Sequence, residues 1–344
     1  MMRVFIYILL VVILFNSCSR ETEDKCVVIP PTSGIKIDLK FESLEDSLPA
    51  IESKQQLVGF FSHHKVIRDL LFNREAYPSD SAFINDRYAR FTNPAIDTLL
   101  AETHRVFGNG LELKKEFEKT LTNLKYYYPA FPTPQVRTII TGLETDIFVN
   151  DSLVIVGIDY YLGTGAKYQP YIHEYMQKRY NKDFIVPSMM LLYGIDAAFN
   201  KTSVADKTVL ADMITYGKAY YFAKHMIPCV ADSILMGYSK EELEGSRKNE
   251  SLIWSRLIED EVLFSTSHQT KQKYIAERPK TLEVGEKCPG RIGQWVGWQI
   301  VKKYMETHPD VTLSQLMQLQ DPAKLFKESG YKPQVVKLPK KQGA

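Results

Sequence analysis

The chain has 344 residues, 44% of them apolar and 24% charged, with 43 basic against 41 acidic side chains. That is the composition of an ordinary globular protein, large enough for one big domain or two intimate ones with a real core. The near balance of charge implies no basic face, so nucleic acid is not expected as a partner.

The first twenty residues, MMRVFIYILLVVILFNSCSR, set Arg3 ahead of an unbroken apolar run from Val4 to Phe15, followed by Asn16-Ser17-Cys18. The run falls short of the roughly 20 apolar residues a membrane span needs, and a charged start, a short apolar run and a small residue make a signal peptide. Ending on Cys rather than on an Ala-x-Ala site reads as a lipoprotein signal over residues 1–17, with Cys18 carrying the lipid. Each buried methylene contributes ~0.8 kcal/mol, so several acyl chains hold a protein on a membrane.

Residues 18–34 turn polar and then Pro-rich and are expected to form a flexible tether. In IKIDLKFESL, from Ile35 to Leu44, apolar and polar residues alternate as in a half-buried strand. HHKVIRDLLF, NPAIDTLLAETHRVF and LKKEFEKTLTNLKYYY carry apolar residues three and four apart and predict helices. Pro129, Pro132 and Pro134 then break the helical pattern. VRTIITGLETDIFV and SLVIVGIDYYLG follow as strand-like runs joined by Asn150-Asp151, which predicts an antiparallel hairpin over 136–162. LVIVGI is apolar on both faces and belongs inside the sheet.

Beyond Gly165 the chain reads as helical to about Leu319. DKTVLADMITYGKAYYFAKHMIP is the clearest helix, with Asp206 as its expected cap and Pro228 as its end. EGSRKNESLIWSRLIED is expected as a second helix and PGRIGQWVGWQIVKKYME as the last strong one. Gly293 and Gly297 lie one turn apart in that last helix, so it should pack closely on a neighbour. The pattern predicts an α+β fold over 35–335, a small sheet with helices packed on it, and a basic, solvated tail over 336–344.

Four cysteines are present. If Cys18 carries lipid, Cys229–Cys288 is the favoured disulfide because Cys26 falls in the tether; two free, buried thiols are the alternative. Twenty Tyr and seventeen Phe predict an aromatic core with hydroxyls at its edge, or else a sugar-binding surface.

A zinc peptidase would need His-Glu-x-x-His on a helix. The nearest match, His173-Glu174-Tyr175-Met176-Gln177, has Gln at the second ligand position, and no other histidines or cysteines show ligand spacing. No Gly-x-Ser-x-Gly, P-loop or GxGxxG is present. No catalytic residue, metal or cofactor is therefore expected. Two stretches look more specific than packing needs. One is GIDYYLG, with Asp159 and Tyr160 after a buried strand. The other joins NESLIW to PGRIGQWVGW, where Glu250 and Arg291 are expected to pair beside Trp254, Trp295 and Trp298.

The chain resembles the GldB family of gliding-motility lipoproteins of Bacteroidota. Cys18, VGIDYYLG, ITYGKAYYFAKHMIP, MGYSKEEL, NESLIW and PGRIGQWVGWQIVKKYM carry the resemblance, in this order. It implies a cell-envelope lipoprotein, anchored by its lipid in the outer membrane and facing the periplasm. It also implies a part in gliding and type IX secretion beside other envelope proteins. It further implies distant kinship with predicted zinc peptidases, hence a zincin-like fold. SMMLLYGIDAAF is similar to their first ligand helix but has no His, and in ITYGKAYYF Tyr216 stands in place of Glu. On this resemblance the metal site is degenerate and the chain is a pseudoenzyme. Two other readings are a peptidase with unusual ligands (His173, Glu174, Asp159) and a glycan-binding lipoprotein using exposed Tyr and Trp.

Overall fold

A four-stranded mixed sheet, in the order β1-β2-β4-β3, lies between two sets of helices. The structure is a computed structural model and describes residues 26–27 and 29–337. Cys18, the signal peptide and most of the basic tail lie outside the described residues. The first strand is β1 (Phe41–Ser43), shorter than the alternation in 35–44 suggests. Three helices follow it: α1 (Lys54–His63), α2 (Asp80–Phe91) and α3 (Ala95–Phe107). The chain continues through α4 (Leu111–Tyr127) into β2 (Gln135–Ile139), β3 (Ile147–Val149) and β4 (Leu153–Gly157).

The central strand explains its own sequence. All of β4 is buried. Val154 and Val156 join the core formed with α4 and the later helices, while Leu153 and Ile155 join the core under α1, α2 and α3. Successive side chains on a strand point to opposite faces, so a strand covered on both sides must be apolar throughout.

The expected hairpin is half right. β3 and β4 are antiparallel, and Asn150 shapes their turn by accepting from the backbone N–H of Ser152 (3.0 Å) and Leu153 (2.7 Å). But β2 runs parallel to β4. The run read as one strand is cut by the loop at 141–145, where Gly142 and Leu143 take φ of 73° and 61°. Asp159 holds this loop, accepting from the backbone N–H of Thr141 (2.8 Å) and Leu143 (2.7 Å).

The remaining helices are α5 (Glu174–Gln177), α6 (Ile185–Ile195), α7 (Val209–Met226), α8 (Asp232–Met236), α9 (Lys240–Lys248) and α10 (Glu250–Glu259). They are followed by α11 (His268–Tyr274), α12 (Ile292–Thr307), α13 (Leu313–Gln318) and α14 (Pro322–Ser329). The helix expected over 244–260 is two helices, because Asn249 leaves helical geometry (φ −110°, ψ 22°) and both closes α9 and opens α10. Thr208, not Asp206, caps α7; Asp206 supports the cap by accepting from the Thr208 N–H and hydroxyl. The tail is pinned further than expected, since the Val336 N–H donates to Ser255 Oγ at 2.8 Å.

Helices α7 and α12 form the centre. A Cβ on Gly297 would stand 1.9 Å from the Met213 carbonyl oxygen, and one on Gly217 would stand 2.3 Å from the Gly297 carbonyl oxygen. The backbones touch at Gly297 as expected, whereas Gly293 packs on Tyr274 and Ile275 rather than on α7. Near the far ends of the two helices, Asp232 gathers Lys224 (3.0 Å), Lys302 (3.1 Å) and Arg247 (3.0 Å). Burial opposes the Asp232 carboxylate, but these cations outweigh it and its pKa is lowered.

Lys218, on α7, is fully buried and donates to Thr202 Oγ1 (3.1 Å) and to the carbonyls of Met317 (3.1 Å) and Leu319 (2.8 Å). It fastens the end of α13 to the core. Desolvation brings its pKa down to about 7.

The disulfide is Cys26–Cys229, and Cys288 is a free, half-buried thiol. This corrects the Cys229–Cys288 pairing. Cys229 follows the C-terminal end of α7, while Cys288 precedes the N-terminal end of α12. The helices cross at Gly217 and Gly297, and Lys224 and Lys302, both C-terminal to that crossing, meet at Asp232, so the helices run in the same direction. The two cysteines therefore sit at opposite ends of the pair. Cys26 reaches Cys229 because the tether folds back there, the Val27 N–H donating to the Pro228 carbonyl at 3.2 Å.

Two expectations test this core. Gly297→Ala should force α7 and α12 apart and cost about 3 kcal/mol or prevent folding, read by urea unfolding. The unfolded chain takes up a proton on Lys218 at pH values where the folded chain does not, so stability should rise between pH 7 and pH 9. Lys218→Met should flatten that rise while lowering stability at pH 7, because three acceptors lose their donor.

Candidate functional site

The polar residues that converge on a cleft lie where β3, α6, α8 and the loop before α12 meet. Arg291 opens α12 in the left-handed conformation (φ 60°), which turns its side chain back over α8. There it donates to the Met236 carbonyl (2.7 Å), and its guanidinium lies 5.7 Å from the centre of the Tyr238 ring. Tyr238 in turn donates to the Gly290 carbonyl at 2.7 Å, fixing the turn that presents Arg291.

Glu277 bridges two arginines. Arg179 grips it with two bonds (2.9 and 2.8 Å), and Arg291 Nε lies 3.3 Å away. Partial burial disfavours the Glu277 carboxylate, but the Arg179 hydrogen bonds and the two positive charges hold its pKa low. Gly237 makes room for both arginines: at φ 63°, a Cβ there would stand 2.4 Å from Arg179 Cδ and 3.2 Å from Arg291 Nη2.

Behind this clamp is a cavity of about 120 Å³ lined by Asp146, Tyr180, Ser188 and Leu191 as well as both arginines. Asp146 accepts from the Ile147 N–H (2.7 Å) and from the Tyr180 hydroxyl (3.4 Å), and burial raises its pKa. The Tyr160 and Tyr180 rings meet edge to face at 5.0 Å. Tyr216 is half-buried and feels the charges of Asp212, Arg291 and Glu277, with burial raising its pKa first of all. Two arginines, a shielded carboxylate and the Tyr180 hydroxyl can recognise a polar group.

Of the expected set, Arg291 lines the cavity, Tyr216 lies within the field of Arg291, and Tyr160 packs on the lining residue Tyr180. Asp159 stands apart from the cleft: it is 1% exposed and spends its oxygens on the 141–145 loop. Burial raises its pKa, against the pull of those hydrogen bonds. Glu250 does not pair with Arg291. It accepts from the Tyr331 hydroxyl at 2.7 Å, and Trp254 packs edge-on against the same Tyr331 ring. Trp254, Trp295 and Trp298 are all buried, so they offer no open aromatic face to a glycan. Trp298 instead stacks on Tyr220, with the Lys302 ammonium 3.8 Å from its ring centre.

His173 and Glu174 are exposed at the start of the short α5, and Asp159 is buried on its loop, so these three do not converge. Among the described residues no three His, Cys, Asp or Glu side chains lie together as a metal-holding group. Arg179, Glu277 and Asp146 were not foreseen. Only the Gly before Tyr238 hinted at them, since a glycine in that turn leaves room for large neighbours.

A family model described as Gliding motility protein GldB matches residues 25–333, nearly the whole described chain. The chain belongs to the GldB family. It is thereby a gliding-motility lipoprotein by family, which fits attachment to the cell envelope. No helix among the described residues is long and apolar enough to cross a membrane. No curated protein and no solved structure matches the chain.

The arginine clamp has a testable signature. Gly237→Ala should cost about 1–2 kcal/mol through its left-handed backbone alone, with more from the displaced Arg179. Removing that side chain in an Arg179→Ala background should relieve part of the loss, so that urea unfolding of the double variant shows less than the sum of the single effects.

Proposed function

We propose that this GldB-family lipoprotein is a non-catalytic envelope scaffold, held by lipid on Cys18 at the periplasmic face of the outer membrane. There it supports assembly of the gliding and type IX secretion machinery. The observation that carries this reading is the clamp itself. The positive groups in the cleft are paired with Glu277 and, for Arg291, with the Met236 carbonyl. On the resemblance, Tyr216 would stand where the predicted zinc peptidases have Glu. A zincin-like cleft whose chemistry has been lost is the form this reading takes.

A surface suited to a protein partner lies beside the cleft. Leu192 and Ile195 on α6 are 43% and 37% exposed, one turn apart, and α6 packs against the edge strand β3. An edge strand offers unpaired backbone groups, and apolar side chains next to it supply area for a partner.

Cys18→Ala should release the protein from membranes; retention after that change would sink the lipid anchor. In the native host, a Leu192→Asp/Ile195→Asp variant should stay folded and membrane-bound yet lose its cross-links to envelope proteins and its motility. Metal analysis of purified residues 19–344 decides against the peptidase reading or for it. One zinc per chain, with peptide cleavage that Glu174→Gln abolishes, would overturn the non-catalytic assignment.

A further inference from the structure

The Cys26–Cys229 disulfide does more than staple a loop. Both half-cystines are exposed, at the point where the N-terminal segment reaches the folded domain. Cys229 sits in the turn after α7, beside a cavity of about 330 Å³ whose apolar walls include Val186, Ile227, Pro228 and Ile234. Its rim carries Glu116, Lys119 and Asp183.

We propose that this disulfide moors the domain to the lipid surface by the C-terminal end of α7, so that the face formed by residues 226–234 looks at the bilayer. The inference rests on the lipid attachment at Cys18 proposed above. Cys18 precedes Cys26 by eight residues. At about 3.5 Å per extended residue, the disulfide can stand no more than about 28 Å from the lipidated residue. Without the disulfide, the next buried residue among those described is Pro30, twelve residues from Cys18, and the reach grows to about 42 Å. The hydrogen bond from Val27 to Pro228 contributes only about 1 kcal/mol and does not hold the leash short by itself.

The opposite end of the same helix gives the internal control. α7 has 18 residues, and at 1.5 Å per residue it is about 27 Å long. Its N-terminal end, where the Val209 N–H donates to Ser265, carries the exposed side chain of Phe264 (65%). That end points away from the mooring. Charge does not compete with this geometry: the rim near Cys229 has two acids and one lysine, so anionic headgroups would not draw it in by themselves. The covalent leash sets the orientation, and the orientation should therefore survive high salt.

Hydrogen–deuterium exchange on the full-length lipidated protein tests this, with the protein reconstituted in vesicles of phosphatidylethanolamine and phosphatidylglycerol. Amides in 226–234 should exchange several-fold more slowly on vesicles than in the soluble Cys18→Ala protein, at low and high salt alike, while 203–209 and 262–266 stay unchanged. Cys26→Ser/Cys229→Ser should lose the protection while remaining in the membrane fraction. So should a second variant that keeps the disulfide but carries twelve Gly/Ser residues inserted after Ser19, which guards against a folding defect in the first. Mass spectrometry of the intact protein reads the lipid on Cys18. Lipid present with 226–234 unprotected, or protected equally in both variants, overturns the mooring alone; no lipid on Cys18 overturns both it and the anchor.

Discussion

Everything in this molecule is arranged around a contact between two backbones. Where α7 and α12 cross, Gly217 and Gly297 let the chains touch with no side chain between them. That approach places Tyr220 against Trp298 and lets the Tyr220 hydroxyl donate to Gln294 at 2.7 Å. It also brings Lys224 and Lys302 to the same carboxylate, Asp232. Without the two glycines, the helices would separate by the width of a side chain, and each of these contacts would be lost together. Close packing makes them one unit rather than several independent stabilisers.

The charged groups inside the fold follow a single rule. Lys218 donates to three oxygens, Asp232 is held by contacts that include Lys224, Lys302 and Arg247, and Glu277 meets Arg179 and Arg291. A buried charge is tolerable only when its hydrogen-bonding capacity is met, and removing one partner leaves the other exposed to the full cost of desolvation. The cleft near Arg291 is built in the same way as the core. Arg179 and Arg291 are paired with Glu277, although Arg179 Nε is buried there without a hydrogen-bond partner.

Much of this architecture is legible in the residues. LVIVG announces a strand covered on both faces, and Gly297 announces the close crossing with α7, while Gly293, one turn earlier, packs on Tyr274 and Ile275 instead. The strand and the crossing are read from local pattern, and local pattern is what a sequence displays. The missed features are of another kind. Arg179 meets Glu277 across 98 residues, and no periodicity links the two. Arg291 stands out in PGRIGQWVGW, but its partner depends on a left-handed turn that no spacing rule predicts. Cys26 looked like part of a loose tether because prolines follow it, and its bond to Cys229 is set by how the tether folds back, across 203 residues. The long reading of VRTIITGLETDIFV failed for a related reason: Asp159, which shapes the loop that breaks it, comes after the strand it affects.

The two central helices are far apart in the chain. α7 ends at Met226, but the helix that completes its packing runs from Ile292 to Thr307, close to the end of the sequence. A chain emerging from its N-terminus therefore exposes the apolar flank of α7 until almost all of it has been delivered. Contacts between distant segments form late and slowly, since loop closure must precede them. For the lipid-anchored periplasmic protein proposed above this order of folding is an advantage: the core cannot close while the last helix is still on the near side of the membrane. The same feature makes truncation unforgiving, because a product ending before residue 292 would lack the Ile292, Trp295 and Trp298 side chains that share one core with α7 and with Val154 and Val156 of the sheet.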